Sequence, residues 1–334
     1  MSFIIHHNDD DGRCSAAIIY NDCCMADPSM EIQGKIFEYS HGKDFPTINP
    51  EEIQKNDTIY IVDLALDWTI FNFMVNVLHA CENVNIVHID HHQSTLTFIE
   101  SLDEQGKAFM KNITTMYKIG VSATILCWVY SCMNEDERKR LDTVVWDNTA
   151  QFSHIGIGPD FDHLREYRVP MVARFINDWD VWIHELSGTR AFHYGFSLEQ
   201  DKKPTSRVWV DLLWSTNNKM LNDKYVEPGN AIVAYKDSDA KNCMQQAFQY
   251  DLEYNGKTIK VLMVNARGDS FLFGDLIKDY DAVCMFWRTA AKWYYSFRSD
   301  EEKGVNVAEI CESFGGGGHI HAAGFTSDEL MFIK

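Results

Sequence analysis

The sequence has no apolar stretch long enough to span a bilayer, no internal repeat and no low-complexity tract, so neither a membrane helix nor a solenoid is expected. It has no CxxC pair among its nine cysteines, and an odd number of thiols without that spacing suits a reducing cytoplasm. A signal peptide is not expected either, because a strand-like run and candidate ligands begin at once. Most telling is the shortage of positive charge: 30 Lys and Arg against 49 Asp and Glu leave a formal net charge of −19. Binding long polyanions depends on neutralising many phosphates, so long nucleic acid is not an expected partner. Even two bound divalent cations would leave the chain acidic. The composition favours a ligand with few phosphates held by a local site.

What is present is enough for a sizeable core. At 334 residues and 46% hydrophobic content, the chain is long enough for two domains. Short runs rich in Ile and Val, at Phe3 to Ile5, Thr58 to Val62 and Val84 to Ile89, read as strands, and segments of helical spacing at Cys14 to Asn21 and Trp68 to Cys81 lie between them. The alternation predicts an α/β fold with an open parallel sheet, whose ligands bind beyond the carboxyl ends of the strands. A first domain is expected over residues 1–197, a helical connector over 198–250 and a smaller α/β domain over 251–334. In the last, a hairpin turns at Tyr254 to Lys257 (YNGK), and strands follow at Lys260 to Val264, Ala282 to Trp287 and Trp293 to Arg298.

The strand ends carry the chemistry. Asp90, His91 and His92 follow one apolar run; His7, Asp9 and Asp11 follow another in HHNDDDG; Asp63 follows a third in TIYIVDLAL. Carboxylates and imidazoles gathered from several strand ends suit a pair of hard divalent cations. The one-residue alternation lets His7, Asp9 and Asp11 project to one side of a loop, and Gly12 then permits a tight turn into a helix beginning near Cys14. Asp63, alone on its strand end, is the natural carboxylate to bridge two ions. Taken alone, HHNDDDG reads equally well as a solvated acidic loop with a capping Asp; the other two clusters tip the balance. No Cys stands in these motifs as a ligand, so manganese or magnesium is favoured over a zinc thiolate site. A second constellation is the run Gly315 to Gly318 followed by His319, where amides without side chains can approach a phosphate. Glycine runs are more often flexible loops, but this one is bracketed by a helical NVAEICESF and an apolar HAAGF. Trp128, Trp209 and Trp214 are expected in the core, His154, His163, His184 and His193 as surface or structural histidines, and EDERKR at Glu135 to Arg140 as a solvated helix face.

These motifs resemble those of the DHH phosphoesterases: HNDDDGRCSAAI, IVDLAL, IDHHQS and INDWDVW in order, then SFRS at Ser296 to Ser299 and FGGGGHIHAAGF at Phe314 to Phe325, which is similar to the DHH-associated domain. GVSATILCWVY and the WDVW segment bring the resemblance nearest to the nanoRNase branch. The resemblance implies His7, Asp9 and Asp63 around one metal, and Asp11, Asp63, His91 and Asp180 around the other. It implies Asp90 behind the ligands, orienting an imidazole, and His92 facing the substrate phosphate, where it is also the candidate proton donor to the leaving oxygen. Asp178 competes with Asp180, which is preferred because Trp182 two residues on fits the family pattern, whereas Asp178 reads as a helix-surface acid. Arg298, Gly316, Gly317, Gly318 and His319 would bind substrate phosphate in an active site at the interdomain cleft. Ser122 and Thr124 would either touch phosphate or cap the following helix. The implied activity is two-metal hydrolysis of very short oligonucleotides, such as dinucleotides, to mononucleotides. The other readings are a hydrolase for cyclic dinucleotides, cyclic mononucleotides or bisphosphonucleosides, a RecJ-like single-strand exonuclease, and a nucleotide-binding regulator without turnover. A homodimer is left open.

Overall fold

The computed structural model describes residues 2–26, 35–81, 83–141, 168–215, 217–267 and 279–332. His154 and His163, expected as surface or structural residues, lie outside them. The chain divides into two compact units, Met1–Asn230 and Ala231–Lys334.

The first unit is built on a five-stranded parallel sheet in the order β2-β1-β3-β4-β5. Its strands are β1 (Ser2–His7), β2 (Ile36–Tyr39), β3 (Thr58–Val62), β4 (Asn85–Asp90) and β5 (Thr114–Tyr117). Its helices are α1 (Asp10–Ala26), α2 (Trp68–Ala80), α3 (Gln93–Ser101), α4 (Glu104–Met110), α5 (Ala123–Cys132), α6 (Glu135–Leu141), α7 (Met171–Asp180), α8 (Thr189–Phe196), α9 (Arg207–Leu213) and α10 (Lys219–Leu221). A π-helical turn over Asn222–Val226 leads into α11 (Glu227–Met244). The strands are near-continuous apolar runs because both sheet faces are covered. Ile4, Val62 and Ile89 pack with α1, α5 and α7, whereas Ile5, Ile61 and Ile86 pack with α2 and α3 on the other face.

Two features of this sheet place the site. The parallel register pairs His6 with Val62 and Val62 with Ile89, so β1, β3 and β4 end level with one another. The chain leaves β1 for β2 on one side and then crosses back to β3 on the other, and such a reversal of strand order opens a crevice at the carboxyl ends.

Residues 198–230 do not form a separate connector. Val208, Trp209, Leu212, Leu213, Leu221 and Tyr225 join the first unit's core, and the division between units falls inside α11. Close helix packing explains two glycines there: a Cβ on Gly195 would lie 2.0 Å from the Tyr225 carbonyl, and one on Gly229 would lie 1.8 Å from that of Ala191. Trp209 is fully buried as expected, but Trp214 is 43% exposed and leans on the half-buried Trp128, so it is a surface ring rather than a core one.

The second unit is a six-stranded sheet ordered β10-β11-β9-β8-β7-β6. Its strands are β6 (Phe248–Tyr254), β7 (Lys257–Asn265), β8 (Ala282–Arg288), β9 (Trp293–Arg298), β10 (Gly317–His319) and β11 (Ala322–Ser327), antiparallel except for the β7–β8 pair. Asn255 and Gly256, both at positive φ, close the β6–β7 hairpin, the geometry that an Asn-Gly turn supplies. One face packs on α12 (Val307–Ser313) and the other on α11 through Ala240. Among the described residues, no helix is long and apolar enough to cross a membrane.

Candidate metal centre

The level strand ends bring the acids and histidines together. Three groups of donors, each with atoms within 4.8 Å of one another, form there: His7, Asp9 and Asp63; Asp11, His91 and Asp180; and Asp63, Asp90, His91 and His92. Asp63 joins them. One of its carboxylate oxygens lies 3.2 Å from His91 Nε2 and the other 3.7 Å from His7 Nδ1. Asp63 takes a left-handed backbone conformation (φ 57°), which Asp tolerates better than most residues, and this turns the carboxylate into the crevice. Its Oδ2 is buried without a hydrogen-bond donor among the described residues. A buried carboxylate oxygen with no donor is costly unless a cation meets it.

The electrostatics point the same way. His91 Nε2 is surrounded by carboxylates at 3.2 Å (Asp63), 3.4 Å (Asp180) and 3.6 Å (Asp11). Burial holds the His91 imidazole below its ordinary pKa, which favours a neutral ring whose nitrogen lone pair a cation could use. Burial, then the charges of Asp11 and Asp9, push Asp180 up to about 8, and burial with the same neighbours raises Asp63 well above the carboxylate range. Cations among these oxygens would reverse both shifts. Asp9 differs. Burial opposes its charge, but hydrogen bonds from His7 Nδ1 (2.5 Å) and the Gly12 amide (2.8 Å) hold it at about 2. The oxygen-rich donor set, the donorless oxygen and the crowded charge fit the binding of divalent metal.

Several neighbours set these groups in place, and most left no local mark in the sequence. Asp11 accepts hydrogen bonds from the Ala123 and Thr124 amides at the start of α5, so it lies at the positive end of a helix far along the chain. Ser122 and Thr124 are fully buried: the Ser122 amide donates to Asn177, and Thr124 supports Asp11 by donating its hydroxyl to the Asp11 carbonyl. Asp90 accepts from His92 Nδ1 at 2.7 Å and from Thr95 Oγ1 at 2.5 Å, and Thr95 in turn accepts from the Leu66 amide. His88, buried on β4, bonds the Leu64 carbonyl through Nε2 (2.8 Å), pinning the loop that carries Asp63. Asp10, the middle acid of the first motif, pairs instead with Lys202.

Asp180, its side chain 27% exposed, stands in the cluster, and Asp178 does not. Asp178 is not a surface acid either. It is fully buried and accepts from the amides of Glu185 and Leu186 and from Thr189 Oγ1, tying together the turn after α7. The first motif also differs from expectation. α1 begins at Asp10, not near Cys14, and Gly12 lies inside it. The glycine is required by proximity, since a Cβ there would sit 2.4 Å from the His7 carbonyl oxygen.

In the second unit, Arg298 is half-buried on β9, its Nη1 donating to Ser296 Oγ and the Phe297 carbonyl. Its register position pairs with Ala322, which pairs with His319 across β11; the His319 side chain lies outside the described residues. The glycine run is ordered by the fold. Gly315 and Gly316 amides bond Glu312 and Cys311 carbonyls, a Schellman closure of α12, so Gly316 has no free amide for phosphate. Gly317 and Gly318 form β10, and a Cβ on Gly318 would collide with Ala323.

Two aromatic rings stand beside the acids: Trp179, given no role from the sequence, and His193, expected there only as a surface or structural histidine. Trp179 on α7 and His193 on α8 stack with centroids 3.7 Å apart and planes at 13°. With Phe192 and the carboxylates of Asp9, Asp11 and Asp180 they line a cavity of about 350 Å³.

No family model matches the chain. Over 163 residues, 47% of this chain, it is 24% identical to the uncharacterized protein R106 of Acanthamoeba polyphaga mimivirus, of which the match spans only 37%. Among solved structures it is similar to exonuclease RecJ bound to manganese (14% identity, 99% of this chain and 86% of that one, TM-score 0.48). It is also similar to PggH, a pGpG-specific phosphodiesterase of Vibrio cholerae (11% identity, 98% and 94%, TM-score 0.45).

Proposed function

We propose that this chain is a two-metal phosphodiesterase of the DHH kind, nearest the nanoRNase branch, that hydrolyses very short oligonucleotides to mononucleotides. The observation that carries the reading is Asp63: one buried carboxylate between two donor clusters, facing His7 with one oxygen and His91 with the other. His7, Asp9 and Asp63 would hold one cation, and Asp11, Asp63, His91 and Asp180 the other, manganese or magnesium by donor type. Two such cations, when bound, neutralise the phosphate's nonbridging oxygens and make water a competent nucleophile near neutral pH.

The chain's own groups do the rest. His92 gives Nδ1 to Asp90 and keeps Nε2 for substrate. Burial disfavours its charge, but Asp90 outweighs this and raises its pKa, so an imidazolium is held ready to protonate the leaving oxygen. Arg298, with Gly317, Gly318 and His319 one strand further along the sheet, is assigned to substrate phosphate, since a guanidinium fork suits that anion. The net charge of −19 supports a short substrate.

The test is to incubate the protein with manganese and a panel of dinucleotides, longer RNA and DNA, cyclic dinucleotides and bisphosphonucleosides, and to resolve the products. Mononucleotides from dinucleotides, abolished by chelation, are expected. Full turnover by a metal-free preparation would reject the metal mechanism, and turnover confined to another class on the panel would reject the oligonucleotide substrate.

A further inference from the structure

We propose that the aromatic wall of the carboxylate-lined cavity is a nucleobase slot, with Trp179 and His193 as its stacking surface and Trp182 standing edge-on beside Trp179. The inference rests on the phosphodiesterase reading for its choice of ligand, and on separate residues for its geometry.

Helix α7 ends with Trp179 and Asp180 adjacent, so a flat apolar ring and a candidate metal ligand face one cavity. An aromatic cluster is usually core, and Phe175 and Phe192 here are. Trp179 and His193 are different: they remain partly exposed, and they line a space shared with Asp9, Asp11 and Asp180. Trp182 departs further. It is 55% exposed and sits at φ 60°, a conformation strained for a bulky side chain, with its ring edge-on to Trp179 at 6.0 Å. Packing alone would place Gly or Asn at such a position, since an exposed indole recovers little burial to offset the strain.

The ligand chemistry follows from what is adjacent. A group that lies flat on aromatic rings beside acids that would hold phosphate-binding cations is the base of a nucleotide, one sugar away from its phosphate. The cavity, about 350 Å³, is at the small end of the range for small-molecule sites and suits one nucleoside rather than a strand. Stacking reads area rather than base edges, so the slot tolerates all bases and ranks purines above pyrimidines.

The experiment is calorimetric titration of the full, manganese-loaded chain with adenosine monophosphate and with ribose 5-phosphate, which lacks the base. The wild type is expected to bind the nucleotide more tightly. Trp179→Ala should weaken it by about 5- to 150-fold, the range for one base stack, while weakening the sugar phosphate far less. Trp179→Phe keeps a ring and should retain most of the affinity. Trp182→Gly, at an exposed position that favours glycine, should fold and still lose nucleotide affinity. Metal content by elemental analysis should match the wild type in every variant. Equal affinity of the wild type for the two ligands would overturn the slot, as would parallel losses on both ligands in Trp182→Gly and Trp179→Ala. A wild type that binds in this base-dependent way yet cleaves no dinucleotide would keep the slot and overturn the phosphodiesterase reading. One that cleaves dinucleotides but ignores the base would do the reverse.

Discussion

Two aspartates two residues apart on α7 do opposite work, and the difference lies in their hydrogen bonds. Asp178 spends its carboxylate on two amides and a hydroxyl, whereas Asp180 faces His91 and other acids. Asp178→Asn should therefore lower stability by about 1–3 kcal/mol, the cost of disturbing a buried acceptor, as read by thermal or urea unfolding. Asp180→Asn should fold as well as the wild type or better, because it removes a carboxyl that burial and Asp11 disfavour, yet should lose metal and turnover. If Asp178→Asn loses metal while Asp180→Asn keeps both metal and turnover, the assignment of Asp180 fails. Asp63→Ala should be the most damaging single change, because it removes a donor from two of the three groups at once. Bound-metal content and dinucleotide turnover measure it, and a variant that keeps both would rule out a bridging role.

At the scale of elements, the contact of α1 with β1 decides whether the first motif can form. Gly12→Ala would drive a methyl into the His7 backbone, so a destabilisation of about 1–3 kcal/mol in chemical unfolding is expected, together with reduced metal affinity. Unchanged metal affinity would mean that α1 can shift without moving Asp9 and Asp11. A second junction responds to acid. Glu199, after α8, accepts from Lys224 Nζ and Tyr225 OH, both at 2.6 Å, and these bonds hold its carboxyl at about 2, below the ordinary 4.5. A depressed acid stabilises the fold above its unfolded value, and that contribution fades as pH falls from about 4.5 toward 2. Glu199→Gln should accordingly melt lower than the wild type at pH 7 and approach it near pH 2; a gap that does not narrow would deny the linkage. What was legible in the sequence was local. Apolar runs marked β1, β3 and β4, Asn255-Gly256 marked a hairpin, and acids at the ends of strands marked the centre. What was not legible depends on distant partners or on polar stretches without periodicity. The first turn of α1 is Asp-Asp-Gly and shows no helical pattern, and Asp11 meets α5 only in the fold. Nothing near His193 announces that Trp179 will stack on it, and the four glycines were readable as a run but not as a helix closure followed by a strand.

Over the whole molecule, charge should set the length of the substrate. With 49 acids against 30 bases, the net charge of −19 has the sign that repels a polyanion. Affinity for long strands normally grows by releasing counterions as many phosphates meet Lys and Arg, and this chain has no excess of them to offer. A dinucleotide needs only a cation pair, one or two phosphate contacts and a place for a base. Each further nucleotide adds repulsion without a matching contact, and salt relieves that repulsion over the scale of a Debye length. We therefore expect kcat/KM to favour substrates of about two to five nucleotides, and the disadvantage of a strand of about 30 nucleotides to shrink as salt rises from low to moderate, the reverse of what counterion release produces. Competition between a labelled dinucleotide and such a strand at both salts measures the two effects together. Equal or faster cleavage of the long strand at both would mean that a basic track is hidden in the acidic total, and would favour a RecJ-like exonuclease instead.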